Sequence, residues 1–371
     1  MKAFLLAASV CIACTGSAVA EQWNLDRCVA YAHEHNISVQ QSKLQIMSGD
    51  LEVTEAKDRF LPNVSASASQ SFSFGRGLTV ENTYANRNTS SFQWGANLNL
   101  PLFQGLSEYR QLKVAKSNLQ KLLYDYEAAK DNVTLNVISG YLQVLYAKEV
   151  LESSRSQLDY STFEVERQKA LVEAGKVAEA DLYDAESQQA TDRLQVVTAE
   201  NDVQTALVEL ANLLQLPTAA GFDITPIDEG EPIIPTADAV FNAALVHNNS
   251  ILASRQSIEV ADRNISLAKT GYIPTLSFGA NVGSSYYTVG GMPHESFGDQ
   301  MRHNYSTYIG VNLSIPIFNA FSTRNNVRRA KIQKIQAELA LDQTETDLFR
   351  TIQLAYYQAR GAVSYTHLTL P

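Results

Sequence analysis

Cysteine is scarce in this 371-residue chain. Cys11, Cys14 and Cys28 are the whole supply, and the first two sit in a segment that reads as a removed leader, so neither a disulfide framework nor a Cys-rich metal cluster is available. Long apolar runs are missing as well: past residue 20 no stretch of about 18 apolar residues could cross a bilayer as a helix, so any spanning segment must be a β-strand. Basic charge is outnumbered, 29 Lys and Arg against 39 Asp and Glu, for a net charge of −10. That removes overall electrostatic support for a phosphate-reading surface and argues against nucleic acid as a partner. No P-loop, nucleophile elbow or dinucleotide fingerprint occurs, so the chain is not read as an enzyme and no catalytic residue, metal or cofactor is expected. With 45% apolar and 18% charged residues, there is nevertheless ample material for a buried core.

Residues 1–20 read as a signal peptide. Lys2 supplies the positive start, Phe4 to Ala13 the short apolar stretch, and Ala18-Val19-Ala20 the small-x-small cleavage pattern. Cleavage before Cys14, as in a lipoprotein, is the weaker alternative because Cys11-Ile12-Ala13 matches the usual approach poorly. Export follows from either.

Proline is absent between Pro101 and Pro217, then crowds at Pro217, Pro226, Pro232 and Pro235. Long helices therefore flank a proline-rich linker, residues 217–235. Leu112, Ala115, Leu119, Leu122, Tyr126, Ala129 and Val133 follow a 3-4 spacing that places them on one coiled-coil seam, and Val196, Ala199, Val203, Ala206, Leu210 and Leu213 form a second. Gly175 between them suits the turn of an antiparallel hairpin. At 1.5 Å per residue, 107–173 would run about 100 Å but 178–215 only about 57 Å, so the first mature helix, roughly 24–60 and about 55 Å long, is expected to stack end to end on the shorter one. Tyr126, Tyr141 and Tyr146 are assigned to seam packing.

A different period appears between the helices. Val64, Ala66, Ala68, Phe72 and Phe74 alternate with serines at 65, 67, 69, 71 and 73, and Phe92, Trp94, Ala96, Leu98 and Leu100 alternate with Gln93, Gly95, Asn97 and Asn99. These are strands with one apolar and one polar face, of a length that fits a tilted bilayer crossing. The segment 75–90 joins them as a loop.

The unit is duplicated. Phe60-Leu61-Pro62-Asn63-Val64-Ser65 recurs as Tyr272-Ile273-Pro274-Thr275-Leu276-Ser277, and Leu98-Asn99-Leu100-Pro101-Leu102-Phe103 as Leu313-Ser314-Ile315-Pro316-Ile317-Phe318, at offsets of 212 and 215. Ala32, His35 and Asn36 recur as Ala244, His247 and Asn248, and Tyr141 and Gln143 as Tyr356 and Gln358. Residues 21–216 form the first repeat and 236–360 an incomplete second one, because the offset carries the counterpart of Gly175 past Pro371. The tail 361–371, which leaves the seam pattern, is expected to be non-native.

Four strands per chain cannot close a membrane barrel, and an open edge in lipid leaves backbone groups unpaired at several kcal/mol each. The chain must oligomerise. Two copies would give eight strands with a lumen filled by side chains, three would give twelve with room for water. The polar faces favour three. Ser65, Ser67, Ser69, Asn97, Asn99, Ser277, Asn281, Asn312 and Ser314 are expected to line the pore.

The leader, the duplicated helix-strand-strand-helix unit, the Phe60-Leu61-Pro62 and Leu100-Pro101-Leu102-Phe103 signatures, and the run Glu173-Ala174-Gly175-Lys176-Val177-Ala178-Glu179-Ala180-Asp181-Leu182 together resemble the TolC-type outer membrane efflux protein family, over residues 21 to about 360. The resemblance implies a mainly α fold with β: long antiparallel coiled-coil helices forming a periplasmic α-barrel, plus four strands per chain in a trimeric twelve-stranded transmembrane β-barrel. It further implies a passive outer-membrane exit duct of a tripartite efflux or type I secretion system, partnered by a periplasmic adaptor and an inner-membrane pump. Gly175, Lys176, Val177, Ala178, Glu179, Ala180, Asp181 and Leu182 are then the expected adaptor contact, because a hairpin apex offers backbone and small residues that another helical hairpin can grip. The competing class is a periplasmic coiled-coil adaptor or scaffold without a channel, which has no reason to duplicate amphipathic strands. His33 and His35 diverge on a helix and are read as solvated, not as a metal pair. Asp181, Asp184 and Glu186 are read as complementing a helix dipole.

Overall fold

A computed structural model describes residues 21–78, 83–86, 88–218, 221–227 and 234–369. The leader, with its cleavage site and Cys11 and Cys14, lies outside the described residues. In chain order the elements are β1 (Glu21–Trp23), α1 (Leu25–His35), α2 (Ile37–Asp58), β2 (Asn63–Ser73), β3 (Arg76–Leu78), β4 (Tyr84–Asn86), β5 (Thr89–Gln104) and α3 (Ser107–Glu173). Then come α4 (Glu179–Leu213), β6 (Phe222–Ile224), α5 (Ala237–His247), α6 (Asn249–Ala268), β7 (Thr275–Val289), α7 (Phe297–His303), β8 (Ser306–Ser314) and α8 (Ser322–Thr369). Two compact units emerge, Met1–Lys43 with Tyr126–Ile233 and Leu44–Asp125 with Ile234–Pro371, so the compact units cut across the sequence repeat.

In the first unit, α3 and α4 pack along the alternating seams. Val133, Val137, Tyr141, Val144 and Ala147 bury against Val203, Ala206, Leu207 and Leu210, joined by Cys28, Ala32 and Val39 from α1 and α2. The expected continuous helix 24–60 is instead broken at Asn36, which ends α1 in an extended conformation. Its side chain explains the break: Oδ1 accepts from the Ser38 N–H at 2.9 Å, starting α2, while Nδ2 donates to the Leu213 carbonyl at 3.0 Å, filling an acceptor that the end of α4 leaves open. That contact brings the α1–α2 junction beside the end of α4. The linker also holds more than a connection. Its β6 pairs in parallel with β1, and Trp23 packs edge-on against Phe222. Tyr141 anchors this small sheet, donating to the Thr225 carbonyl at 2.5 Å, and Lys148 pairs with Asp223 at 2.5 Å. Tyr146 departs from its assignment: it is 66% exposed, because it lies on the flank of α3 away from the seam.

In the second unit, α2 packs on the first turns of α3 through Val53, Ala56, Ala115, Leu112 and Leu119, and α6 packs on α8 with Asp262 to Lys334 at 2.9 Å. Asn248 repeats the role of Asn36, closing α5 and accepting from the Ser250 and Ile251 N–H groups that open α6. The second strand-to-helix joint repeats the first as well: Gly105 and Leu106 have φ of +60° and +64°, and Ala320 and Phe321, one offset later, +50° and +60°. β2, β5, β7 and β8 form one antiparallel sheet in that order. Within the loop 75–90, Arg76–Leu78 and Tyr84–Asn86 pair as a short ribbon. The segment 361–369, expected to leave the helical pattern, continues α8 to Thr369.

Candidate functional site: a polar sheet face and a helical apex

Directly opposed residues in an antiparallel ladder share a face. Ser65 opposes Asn97, Asn97 opposes Asn281, and Asn281 opposes Tyr308. Ser67 opposes Gly95, and Ser69 opposes Gln93. Asn99 opposes Gly279, Ser277 opposes Asn312, and Thr275 opposes Ser314. All nine expected pore residues therefore occupy one face of the sheet. A recess of about 300 Å³ opens there, lined among others by Ser67, Ser69, Gln93, Asn97 and Asn281. The Asn281 amide donates to Asn97 Oδ1 at 2.5 Å, spanning β7 and β5.

The opposite face is apolar: Val64, Leu98, Ala280 and Ile309 form one cross-strand row, and Leu100, Phe278 and Val311 another. Val64, Ile309 and Val311 are 61–67% exposed, an arrangement that costs several kcal/mol in water and none in hydrocarbon. Toward the end of the strands away from the helices this face also carries Gln70, Ser90, Ser284, Thr288 and Thr307; Gln70 donates to Ser90 Oγ at 2.9 Å and Ser284 to the Met301 carbonyl at 2.7 Å. None of the four strands contains a charged residue. At the helix-proximal end a bulge leaves Leu102 unpaired between Pro101 and Phe103, so that Phe103 opposes Leu276 on the apolar face.

Among the described residues no helix is long and apolar enough to cross a membrane. The outer edges of the sheet, on β2 and β8, have no strand partner among the described residues. Sequence reasoning missed α7, which lies between β7 and β8. It folds back over the part of β7 that β8 is too short to reach, with Phe297 against Phe92 and Tyr286. Its Ser296 cap, which accepts from the Asp299 N–H, was the available signal.

The apex is built by Gly175. At φ +69° it closes α3 in a Schellman turn, with Gly175 N–H to the Val172 carbonyl at 2.8 Å and Lys176 N–H to the Leu171 carbonyl at 2.9 Å. Asp181 then accepts from the Ala178 N–H at 3.2 Å, which opens α4. Gly175, Lys176, Ala178, Glu179, Ala180 and Asp181 are exposed, with Val177 and Leu182 half-buried.

The remaining singled-out groups serve packing. Cys28 is wholly buried and burial pushes its thiol up to about 11, against a smaller opposing pull from Arg27. His33 meets Thr134 Oγ1 at 2.8 Å, and the His35 ring stacks on Tyr31.

Uncharged amphipathic strands with bare outer edges, continued directly into helices of up to 67 residues, are the design of a membrane-channel protomer with a long helical extension. The chain belongs to the outer membrane efflux protein family, whose profile matches residues 29–215 and 240–369. It is 22% identical to the outer membrane efflux protein BepC of Brucella suis over 94% of this chain and 72% of that one. It is 25% identical to the outer membrane protein TolC of Vibrio cholerae over 78% of this chain and 64% of that one, so it spans roughly two thirds of the length of such relatives. Its fold is that of the Campylobacter jejuni CmeC outer membrane channel, with a TM-score of 0.71 at 20% identity over 93% of this chain and 74% of that chain.

Proposed function

We propose that this protein is one protomer of an outer-membrane exit duct serving an efflux or type I secretion system. Three copies would join β8 of one to β2 of the next, closing twelve strands and pairing the two bare edges. The polar face, from Ser65, Ser67 and Ser69 across Asn97, Asn99, Ser277 and Asn281 to Asn312 and Ser314, lines the water path, and the apolar face meets outer-membrane lipid. The observation that carries this reading is the register, which gathers every one of these polar side chains on a single uncharged face.

The duct does no chemistry. A hydrated path lowers the cost of moving polar cargo through hydrocarbon, and an inner-membrane pump supplies the work. The apex Gly175–Leu182 is the contact for a periplasmic adaptor: its turn fixes exposed small residues between two helix ends, which lets a partner helix approach closely. In this reading residues 1–20 are the export signal, 21–216 and 236–360 the two repeats, and 217–235 the linker between them.

Planar-bilayer recording with the purified chain is the direct test, with steady water-filled conductance as the expected result. A chain that washes from membranes with salt and stays monomeric in detergent-free buffer would instead fit the coiled-coil scaffold class.

A further inference from the structure

In a chain of net charge −10, the first turns of α8 run against the trend. From Ser322 to Ala337 there is no acidic residue, yet Arg324, Arg328, Arg329 and Lys331 all fall in this stretch and all are exposed. Arg324 falls in the first turn, where a cation opposes the helix macrodipole, and Arg328, Arg329 and Lys331 follow as a cluster of like charges, an arrangement that an anion outside the chain would relieve. None of the four makes an ion pair among the described residues, although Lys334 just beyond pairs with Asp262. Arg324 instead lies over the Phe321 ring at 5.3 Å. The repeat carries the same stripe: Lys113 and Lys116, both exposed and at the start of α3, precede Arg328 and Lys331 by the offset of 215. Lys113 lies over the Tyr109 ring at 4.6 Å.

One of these cations, Lys113, lines a built feature. A pocket of about 250 Å³ is lined by Leu106, Tyr109, Arg110, Lys113, Arg263 and Ser266, three cations with no carboxylate among the lining residues. Arg110 is held in place by donating to the Ser266 carbonyl, and Arg263 pairs with Glu259 at 2.6 Å, leaving Lys113 without an anionic partner among the described residues.

The handedness of the sheet places the pocket on the outer side. The Tyr287 side chain shares the polar face, and its N–H and C=O point toward Gln300, away from β5. Because β7 runs away from the helices, L-chirality then fixes the direction in which β2, β5, β7 and β8 follow one another around the wall. With α3 packed on α2 through Leu112, Ala115 and Leu119, and touching α6 through Arg110 and Ser117, its Tyr109, Lys113 and Lys116 stripe falls on the side of the apolar sheet face. In chain order, exposed Leu102, Phe103, Ile317 and Phe318 fall between the apolar rows of β5 and β8 and the cations of α3 and α8. An apolar band, then aromatic and aliphatic side chains, then unpaired cations is the profile of a protein surface crossing from hydrocarbon into lipid headgroups.

We propose that the membrane-proximal turns of α3, α6 and α8 form a basic collar that binds the phosphates of anionic phospholipid headgroups, with the Arg110, Lys113 and Arg263 pocket as its seat. The proposal rests on the membrane-spanning reading above, and its test separates the two. The full chain is reconstituted into bilayers of phosphatidylcholine mixed with phosphatidylglycerol, extracted gently, and the retained lipid counted by mass spectrometry. In parallel, quenching of Trp94, on the apolar face, by bromine-labelled acyl chains reports whether the strands enter hydrocarbon.

Phosphatidylglycerol should be retained several-fold over its share of the bilayer. The K113Q/R328Q pair, which breaks no ion pair, should lose most of that enrichment while Trp94 remains quenched. Quenched Trp94 with no enrichment, or with enrichment unchanged in the double variant, overturns the collar and leaves the channel reading standing. Unquenched Trp94 overturns both. Displacement of the lipid by inorganic phosphate at matched concentration identifies a soluble-anion site and overturns the lipid assignment.

Discussion

The Gln300 side chain holds both backbone groups of Tyr287: its Oε1 accepts from the Tyr287 N–H at 2.9 Å and its Nε2 donates to the Tyr287 carbonyl at 3.1 Å. A side-chain amide thus stands where a neighbouring strand residue would stand. β7 outruns β8, which begins at Ser306 opposite Gly283, and α7 covers the excess; Asn304 adds a bond to the Ser285 carbonyl at 2.7 Å. Gln300→Ala strips two half-buried backbone groups of their partners, at about 1–3 kcal/mol. Amide hydrogen exchange at Tyr287 should accelerate strongly while the amides of β5 stay protected. Unchanged exchange at Tyr287 would show that α7 does not seal this edge.

Gly105 and Ala320 occupy equivalent left-handed positions with unequal freedom. Ala320→Gly relieves an alanine held at positive φ and should stabilise the chain modestly, by about 0.5–1 kcal/mol after the entropy of glycine is counted. A Cβ at Gly105 would meet the Ile273 Cβ at 2.9 Å, so Gly105→Ala adds a clash to the backbone cost and should destabilise by about 2 kcal/mol or more. Denaturant midpoints of the two variants, expected to move in opposite directions, check the assignment.

Tyr141→Phe removes a hydroxyl that donates to the Thr225 carbonyl and leaves that half-buried acceptor without this partner. The expected loss is about 1–3 kcal/mol. Trp23 fluorescence, which reports the β1 and β6 pairing directly, should shift at lower denaturant than in the parent chain.

Two pH effects have opposite character. The Cys28 thiol, pushed up from 9.0 to about 11 by burial, favours the folded state while it stays neutral; this contribution is complete below its unfolded value and is lost as pH rises through about 11. The native chain should therefore resist maleimide at neutral pH and react only when unfolded. The Lys334 ammonium, hydrogen-bonded to Asp262, holds that carboxyl below 3.8, and Asp262 in turn raises Lys334 above 10.5. The bridge stabilises between these limits, fading as pH falls through the lowered carboxyl value or climbs through the raised ammonium value. Both groups are partly exposed, so salt should shrink the effect, and D262N should flatten the acid limb of a stability–pH curve.

Asn281→Asp would introduce the first charge on the polar sheet face. Three carboxylates in a closed trimer would focus a negative potential across the path, so reversal potentials under a salt gradient should move toward cation preference. A chain whose conductance ignores this change does not conduct along that face.

Legibility followed the period of the side chains. Strict alternation at Val64–Phe74 and Phe92–Leu100 is a local property, and it placed β2 and β5 to within a few residues; the 3-4 spacing and proline-free span did the same for α3 and α4. The break at Asn36 was only half legible: its cap on the Ser38 N–H is local, but its other partner, the Leu213 carbonyl, is 177 residues away. Pairing of β1 with β6 was hidden for the same reason, since three-residue strands carry no period. Tyr146 sits five residues from the buried Tyr141, too far round the helix to share its face.

Sequence alone determined the strand faces, the hairpin apex and the duplication, because periodicity, turn residues and repeats are written in neighbouring positions. Tertiary structure decided the β2-β5-β7-β8 order, the register that collects nine polar residues on one face, the capping of β7 by Gln300 and the side on which Lys113 emerges. Those depend on which distant backbone groups meet and on the handed twist of L-residues, and neither is encoded in any single window of the chain.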